Sequence, residues 1–223
     1  MNIRVIVDAS PNYLVLNKPE GVLSVPGKTP ENQQSCVSWV REHFPRATGP
    51  ITVHRLDMDT SGLLLVALTD HAQRELSAQF ESRAVEKSYT AVVEGHVRFE
   101  SGTLNAPMRP DVSRRPMQII DRAHGRPAIT SYRVLAYEPD RTRLELNPLT
   151  GRTHQLRVHC AWAGPGSLKG PLGDPKGKGH PIIGDPLYGD PALAPRLLLH
   201  ATRLVFTDPT THRRVEAVCP PPF

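Results

Sequence analysis

Residues 51–69 read Ile51-Thr52-Val53-His54-Arg55-Leu56-Asp57-Met58-Asp59-Thr60-Ser61-Gly62-Leu63-Leu64-Leu65-Val66-Ala67-Leu68-Thr69, and the rest of the chain is organised around them. The apolar run from Leu63 to Leu68 has the length of a strand buried on both faces. Just before it, Asp57 and Asp59 stand between a His54-Arg55 pair and a Thr60-Ser61-Gly62 turn. Hydroxyl side chains and glycine supply turn chemistry, which puts the two acids on a tight loop fixed to core structure. Such a loop suits catalysis, but it is equally an Asp-rich turn with solvated acids. Spacing alone leaves both readings open.

Working outward, residues 2–7 and 13–17 read as short strands, followed by the turn Asn17-Lys18-Pro19-Glu20-Gly21. Lys18 reads either as a phosphate contact or as a solvated turn residue. Ser35 caps a predicted helix over 36–44, whose Val37, Val40 and Phe44 recur at helical spacing. Asp70 opens a second helix to about residue 82, with Gln73 as a capping-box partner and Leu76 and Phe80 as its core stripe. Residues 85–95 read as a strand that places Lys87, Tyr89, Ala91 and Val93 on one face. Residues 107–127 form an irregular basic excursion carrying Arg109, Arg114, Arg115, Arg122 and Arg126, with a short strand at 117–120. Strands at 128–137 and 142–147, a helix over 153–163, and strands near 197–206 and 213–218 complete the pattern. Between them, residues 164–180 are rich in Gly, Pro and Lys and read as a mobile loop, with Lys169, Lys176 and Lys178 either touching phosphates or belonging to a neutral insertion. Strands outnumber helices and many connections are short. The fold class is therefore α+β, a mixed, largely antiparallel central sheet flanked by helices and loops.

Composition narrows the function. The chain has 223 residues, 39% of them hydrophobic, and no apolar run approaches the ~20 residues of a bilayer span. With no apolar leader expected at the N-terminus and three cysteines lacking CxxC spacing, a soluble protein of a reducing cytoplasm is expected. A formal charge of +5 and a pI near 9.3 point weakly to a polyanionic partner. Aromatic content of 5% is too low for a single-strand binder built on stacking, so contacts to nucleic acid should be mostly to phosphates. A metal site is disfavoured because His154 and His159 are spaced i,i+5 and splay on a helix. Asp59-Thr60-Ser61-Gly62 resembles the aspartic protease turn only faintly, since that chemistry needs two such turns. An aspartyl-phosphate phosphatase requires its nucleophile at the end of an apolar strand, whereas here the apolar run follows the acid. What remains is an isolated aspartate in basic company: Arg152, His154, Gln155 and Arg157 cluster at a helix start, where backbone N–H groups favour anions. With a tyrosine on a neighbouring strand, this suits chemistry on a nucleic-acid base or sugar.

Those residues resemble the RluA-type family of RNA pseudouridine synthases. The family's HRLD-x-x-TSGLLL motif is matched from His54 to Leu65, and its K-x-Y-x-A-x-V-x-G strand by Lys87, Tyr89, Ala91, Val93 and Gly95. Its GR-x-HQ-[IL]-R-x-H helix is matched by Gly151, Arg152, His154, Gln155, Leu156, Arg157 and His159. An N-K-P-x-G turn (17–21), a G-[KR]-P-A-x-T segment (125–130) and an H-P-I-x-G-D-x-x-Y-G turn (180–189) extend the resemblance across roughly residues 11–207.

The resemblance implies a pseudouridine synthase fold with a central catalytic cleft, and one catalytic domain over 1–223 without the separate N-terminal S4 domain of many relatives. It implies that Asp57 attacks covalently or assists departure of the base, that Tyr89 stacks on the flipped uracil and that Arg157 pairs with Asp57. Arg55 is expected to fill the gap in the RNA stack, and His54, Lys87, Arg152, His154, Gln155 and Lys18 to bind RNA or substrate. No cofactor or metal is implied. The expected partner is RNA, a hairpin loop of large-subunit ribosomal RNA, a transfer RNA anticodon stem-loop or both, and the protein is expected to be a monomer. The alternatives are a catalytically silent RNA-binding protein and an aspartate-nucleophile phosphatase.

Overall fold

The apolar run of the central stretch lies in a strand, Ser61–Ala67, whose seven residues are all buried, and its buried Ser61 hydroxyl is paired with His200 Nδ1 at 2.7 Å. A computed structural model describes residues 1–8, 10–29, 32–162 and 179–223. In chain order the elements are β1 (Arg4–Val7), β2 (Tyr13–Lys18), α1 (Cys36–His43), β3 (Ser61–Ala67), α2 (Asp70–Glu81), β4 (Glu86–Glu94) and β5 (Ser101–Asn105). They continue with β6 (Met108–Pro110), β7 (Gln118–Ile120), β8 (Ile129–Glu138), β9 (Arg141–Pro148), α3 (Gln155–Ala161), β10 (Leu199–Thr207) and β11 (Arg214–Val218).

The chain divides into two compact units, one of Met1–Lys87 with His200–Phe223 and one of Ser88–Leu199. The divisions fall inside β4 and at the start of β10, where no Gly/Pro-rich or charged run marks a linker.

In the first unit β2 pairs antiparallel with both β1 and β3, β3 pairs parallel with β10, and β10 pairs antiparallel with β11. The β2–β3 register sets Lys18 opposite Gly62, so the NKPEG turn lies at the end of the strand that follows the two acids. Gly62 has φ +109°, and a Cβ there would collide with the backbone of Ala201 on β10. Only glycine allows both the turn and the close strand approach. Leu14, Leu16, Leu63, Leu64, Leu65 and Leu76 fill this unit's core, each contributing about 1.5–3 kcal/mol by leaving water. Helix α1 starts on a complete capping box, Ser35 with Ser38, which satisfies two of its otherwise orphaned donors. The cap of α2 is Thr69, whose hydroxyl accepts from Ala72 N–H; Gln73 closes no box but reaches Thr52 and Ser77 instead.

In the second unit β4 pairs with β9, β9 with β8 and β8 with β5, all antiparallel. The basic excursion is a small separate hairpin of β6 and β7. Strands β5 and β6 were not expected: Ser-Gly-Thr-Leu-Asn and Met-Arg-Pro are short and carry little period-two signal, and pairing with β8 and β7 supplies their order. Helix α3 begins two residues later than its pattern suggests, because His154 adopts a left-handed backbone with φ 54°. The lysine-rich loop expected over 164–180 lies outside the described residues up to 178. No helix among the described residues is long and apolar enough to cross a membrane.

Candidate active site

The loop carrying Asp57 is fixed on both sides of that residue. Before it, Leu56 donates its N–H to Ser24 Oγ at 3.0 Å and accepts the Ser24 hydroxyl at 2.7 Å. After it, the Met58 carbonyl accepts from Lys18 Nζ at 2.7 Å, while Thr60 N–H closes a turn onto the Asp57 carbonyl at 3.2 Å. None of these bonds uses the Asp57 carboxylate, which is thereby presented by its backbone and left available for chemistry. Arg55 is exposed and holds no ion pair among the described residues.

Lys18 is wholly buried, and its ammonium also donates to the carbonyls of Pro19 (2.9 Å) and Val22 (2.6 Å). With its three N–H groups taken by carbonyls, it braces the Asp57 loop and is not the solvated turn residue that the sequence also allowed. Burial pushes its pKa down to about 8, against the nearby carboxylates of Asp59 and Asp57.

His54 also serves the scaffold. Residues 51–54 lie beside β3, where Ala67 N–H bonds to the Ile51 carbonyl and Leu65 N–H bonds to His54 Nε2 at 2.9 Å. The imidazole stacks on Phe80 with centroids 4.4 Å apart, and Lys87 Nζ lies 5.8 Å from the same ring's centroid. Phe80, expected in the core, is only half-buried and carries these two residues instead. Burial, then the Lys87 ammonium, pushes the His54 pKa down to about 3, although the residue keeps some exposure.

The depressed His54 value has a definite sign in stability. The folded imidazole refuses a proton that the unfolded chain accepts below about pH 6.5. The contribution of His54 is full above that value and is lost progressively down to about pH 3. His54→Gln, whose amide oxygen can accept from Leu65, is expected to flatten the melting temperature against pH across this window. Parallel profiles for the two proteins would exonerate His54.

In the second unit, Tyr89 is half-buried on β4 opposite Leu146 of β9. Gln155 and His154 are buried and committed to protein partners rather than presented to a ligand. Gln155 Nε2 donates to the Ile129 carbonyl and Thr130 Oγ1, both at 3.0 Å, and its Oε1 accepts from Thr150 Oγ1 and Arg152 N–H. The Thr130 hydroxyl faces His159 Nδ1 at 3.0 Å, and His159 Nε2 faces the Ala106 carbonyl at 3.1 Å. His154 Nδ1 meets the Tyr188 hydroxyl at 2.8 Å. The two histidines thus have separate partners. Arg152 is half-exposed, with Nε bonded to the Pro127 carbonyl.

Arg157 is 2% exposed and forms a two-pronged ion pair with Asp185, Nε to Oδ2 at 2.8 Å and Nη2 to Oδ1 at 2.6 Å. Its guanidinium also lies 5.4 Å from the Tyr188 ring centroid. In the sequence Asp185 and Tyr188 stand out only as part of the H-P-I-x-G-D-x-x-Y-G turn. The signal that could have singled them out was an acid and a tyrosine in an otherwise apolar turn, where a buried arginine needs both a countercharge and a flat support.

The family model described as RNA pseudouridylate synthase matches residues 12–162. The chain belongs to this family. It is 42% identical to the dual-specificity RNA pseudouridine synthase RluA of Pasteurella multocida (strain Pm70), over 98% of this chain and 93% of that protein. Identity to the RluA of Escherichia coli (strain K12) is 43%, over 92% of this chain and 87% of the relative. Among solved structures, human RNA pseudouridylate synthase domain containing 1 aligns with a TM-score of 0.76 at 30% identity, covering 100% of this chain and 84% of that one. Human RNA pseudouridylate synthase domain containing 4 shares the fold, with a TM-score of 0.70 at 24% identity over 98% of this chain and 88% of that one. As an RNA pseudouridylate synthase, the chain is an isomerase that modifies RNA, and the α+β fold expected from sequence is the fold of its structural neighbours.

Proposed function

We propose that this synthase converts uridine to pseudouridine in a hairpin loop of large-subunit ribosomal RNA, in a transfer RNA anticodon stem-loop, or in both, with Asp57 as the nucleophile. The dual specificity named for relatives 42–43% identical over most of the chain supports the choice of RNA. The observation that carries the catalytic assignment is the fixing of the loop at Leu56 and Met58, which holds the aspartate between them without using its carboxylate. Tyr89 and Arg157 are the further catalytic residues that the motif match implies. The reading takes residues 1–223 as one catalytic domain acting as a cytoplasmic monomer.

The target nucleotide leaves its stack, because its glycosidic bond is out of reach inside structured RNA. The bond from C1′ to uracil N1 breaks, its electron pair leaving with the base, and the Asp57 carboxylate engages C1′. The uracil turns, C5 bonds to C1′ as the carboxylate departs, C5 loses its proton and N1 gains one. Product and substrate have the same atoms and oxidation state, so the balance calls for no cofactor.

Mapping pseudouridine in total RNA from cells with and without the gene tests the reading. A site should vanish on deletion and return with the wild-type gene but not with Asp57→Asn. An unchanged map, with purified protein still binding RNA, would instead support a silent binder. Arg55, exposed beside the nucleophile, is read as filling the gap left by the flipped base. Arg55→Ala is expected to weaken RNA binding or flipping about tenfold, an effect of roughly 1.4 kcal/mol, with an unchanged melting temperature. Wild-type kinetics on RNA would remove Arg55 from the site.

A further inference from the structure

The hydroxyl and the ring of Tyr188 join two parts of the second unit that the reaction uses differently. The hydroxyl accepts from Gln118 N–H of β7 at 2.8 Å and lies 2.8 Å from His154 Nδ1, just before α3. The ring lies beneath the Arg157 guanidinium and, like Ile120 of β7, packs against the cluster of Met108 of the excursion, Ala128 and Val158 of α3. Asp185, which holds Arg157, also accepts from the N–H groups of Leu187 and Tyr188, at 2.9 and 3.1 Å. One carboxylate therefore orients both the arginine and the turn that supports it.

The excursion's charge makes this link useful. Arg109 pairs with Asp121 and Arg114 with Asp111, and Arg122 lies over Trp162. Arg115 and Arg126 are exposed, with no ion pair among the described residues. A hairpin held through Tyr188 can thus offer cationic side chains to a phosphate backbone while seated against the helix that carries Arg157.

We propose that Tyr188 is a positioning residue of the synthase: its hydroxyl seats the basic hairpin for RNA, and its ring holds Arg157 in working orientation. The proposal rests on the functional reading above, in which Arg157 is catalytic, and adds to it that the basic excursion meets RNA.

The two ends of one side chain predict a split that a purely structural role would not give. Tyr188→Phe keeps the ring and loses the hydroxyl. The half-saturating concentration of an anticodon stem-loop transcript is expected to rise about threefold to tenfold, the effect of one hydrogen bond, with the rate at saturating RNA little changed. Amide hydrogen exchange across residues 117–120 should quicken, and the salt dependence of binding should flatten, as is also expected for Arg115→Ala/Arg126→Ala. Tyr188→Leu loses the ring too, and should lower the saturating rate as well.

A wild-type half-saturation in Tyr188→Phe, or faster exchange without a kinetic change, would overturn the coupling. So would a fall in rate and affinity that merely tracks a lower melting temperature in both variants. The transcript's Kd, measured by filter binding, gives the same comparison without turnover. An inactive wild-type protein would therefore sink the functional reading, while the Kd ratio still decides whether Tyr188 seats the hairpin.

Discussion

Asp57→Asn is expected to stop pseudouridine formation, lowering the single-turnover rate at saturating RNA by about 10⁴-fold or more, as loss of a covalent nucleophile does elsewhere. The amide keeps the shape of the side chain but has no carboxylate to engage C1′. Binding of RNA should stay within a few-fold of wild type. The fold should also survive, because the loop is held by Ser24, Lys18 and the turn to Thr60, through backbone groups that the substitution leaves in place. The only local change expected is electrostatic: the Asp57 charge helps keep buried Lys18 protonated, so its removal lets that pKa fall further. Asp59→Asn is the control. It lies beyond the braced Met58, and most of the activity should remain. Loss of turnover in Asp59→Asn with survival in Asp57→Asn would reverse the assignment and with it the alignment of the HRLD motif.

Much of the architecture was legible because local and tertiary signals agree in those places. The buried run of β3, the Ser35-capped helix α1 and the alternation along β4 each carry a strong periodic or capping signal, and each lies within a few residues of its expected bounds. Strands β5 and β6 were not legible, since their residues have little strand preference and gain order only from partners distant in sequence. The site divides on similar lines. Residue type marked Asp57 and Arg55 as candidates, and their loop is held through Leu56 and Met58 rather than through either side chain. It could not show that Lys18, His154 and Gln155 are buried on protein partners, because a polar side chain in a motif looks the same whether it faces a ligand or a buried carbonyl. Burial decides between those roles, and burial is set by the turn folding back over the residue: Val22 and Met58 come around Lys18, and Tyr188 comes against His154.

Asp185→Asn tests the most costly of these scaffold interactions. Arg157 is almost fully buried, and the Asp185 carboxylate takes two of its N–H groups in a planar fork. Desolvating a guanidinium is expensive, and the matched carboxylate offsets that expense; breaking such a pair from one side costs about 3–5 kcal/mol. Asparagine preserves one acceptor for the Leu187 and Tyr188 N–H groups, so the loss should lie at the lower end, about 3 kcal/mol. For a chain of this size that lowers the melting temperature by about 6–12 °C, readable by scanning calorimetry. Replacing both members with apolar residues, Arg157→Met/Asp185→Leu, separates the charge from the packing. If an unmatched buried cation is the source of the loss, the double variant should melt above Asp185→Asn even though it lacks the arginine altogether, because no charge is left to desolvate. A double variant melting below Asp185→Asn would mean that the fork stabilises this unit outright, through geometry that apolar side chains cannot replace. A single variant melting with the wild type would mean that other contacts of Arg157 hold it in place. In that case Asp185 would matter for the turn that carries Tyr188 and not for the arginine.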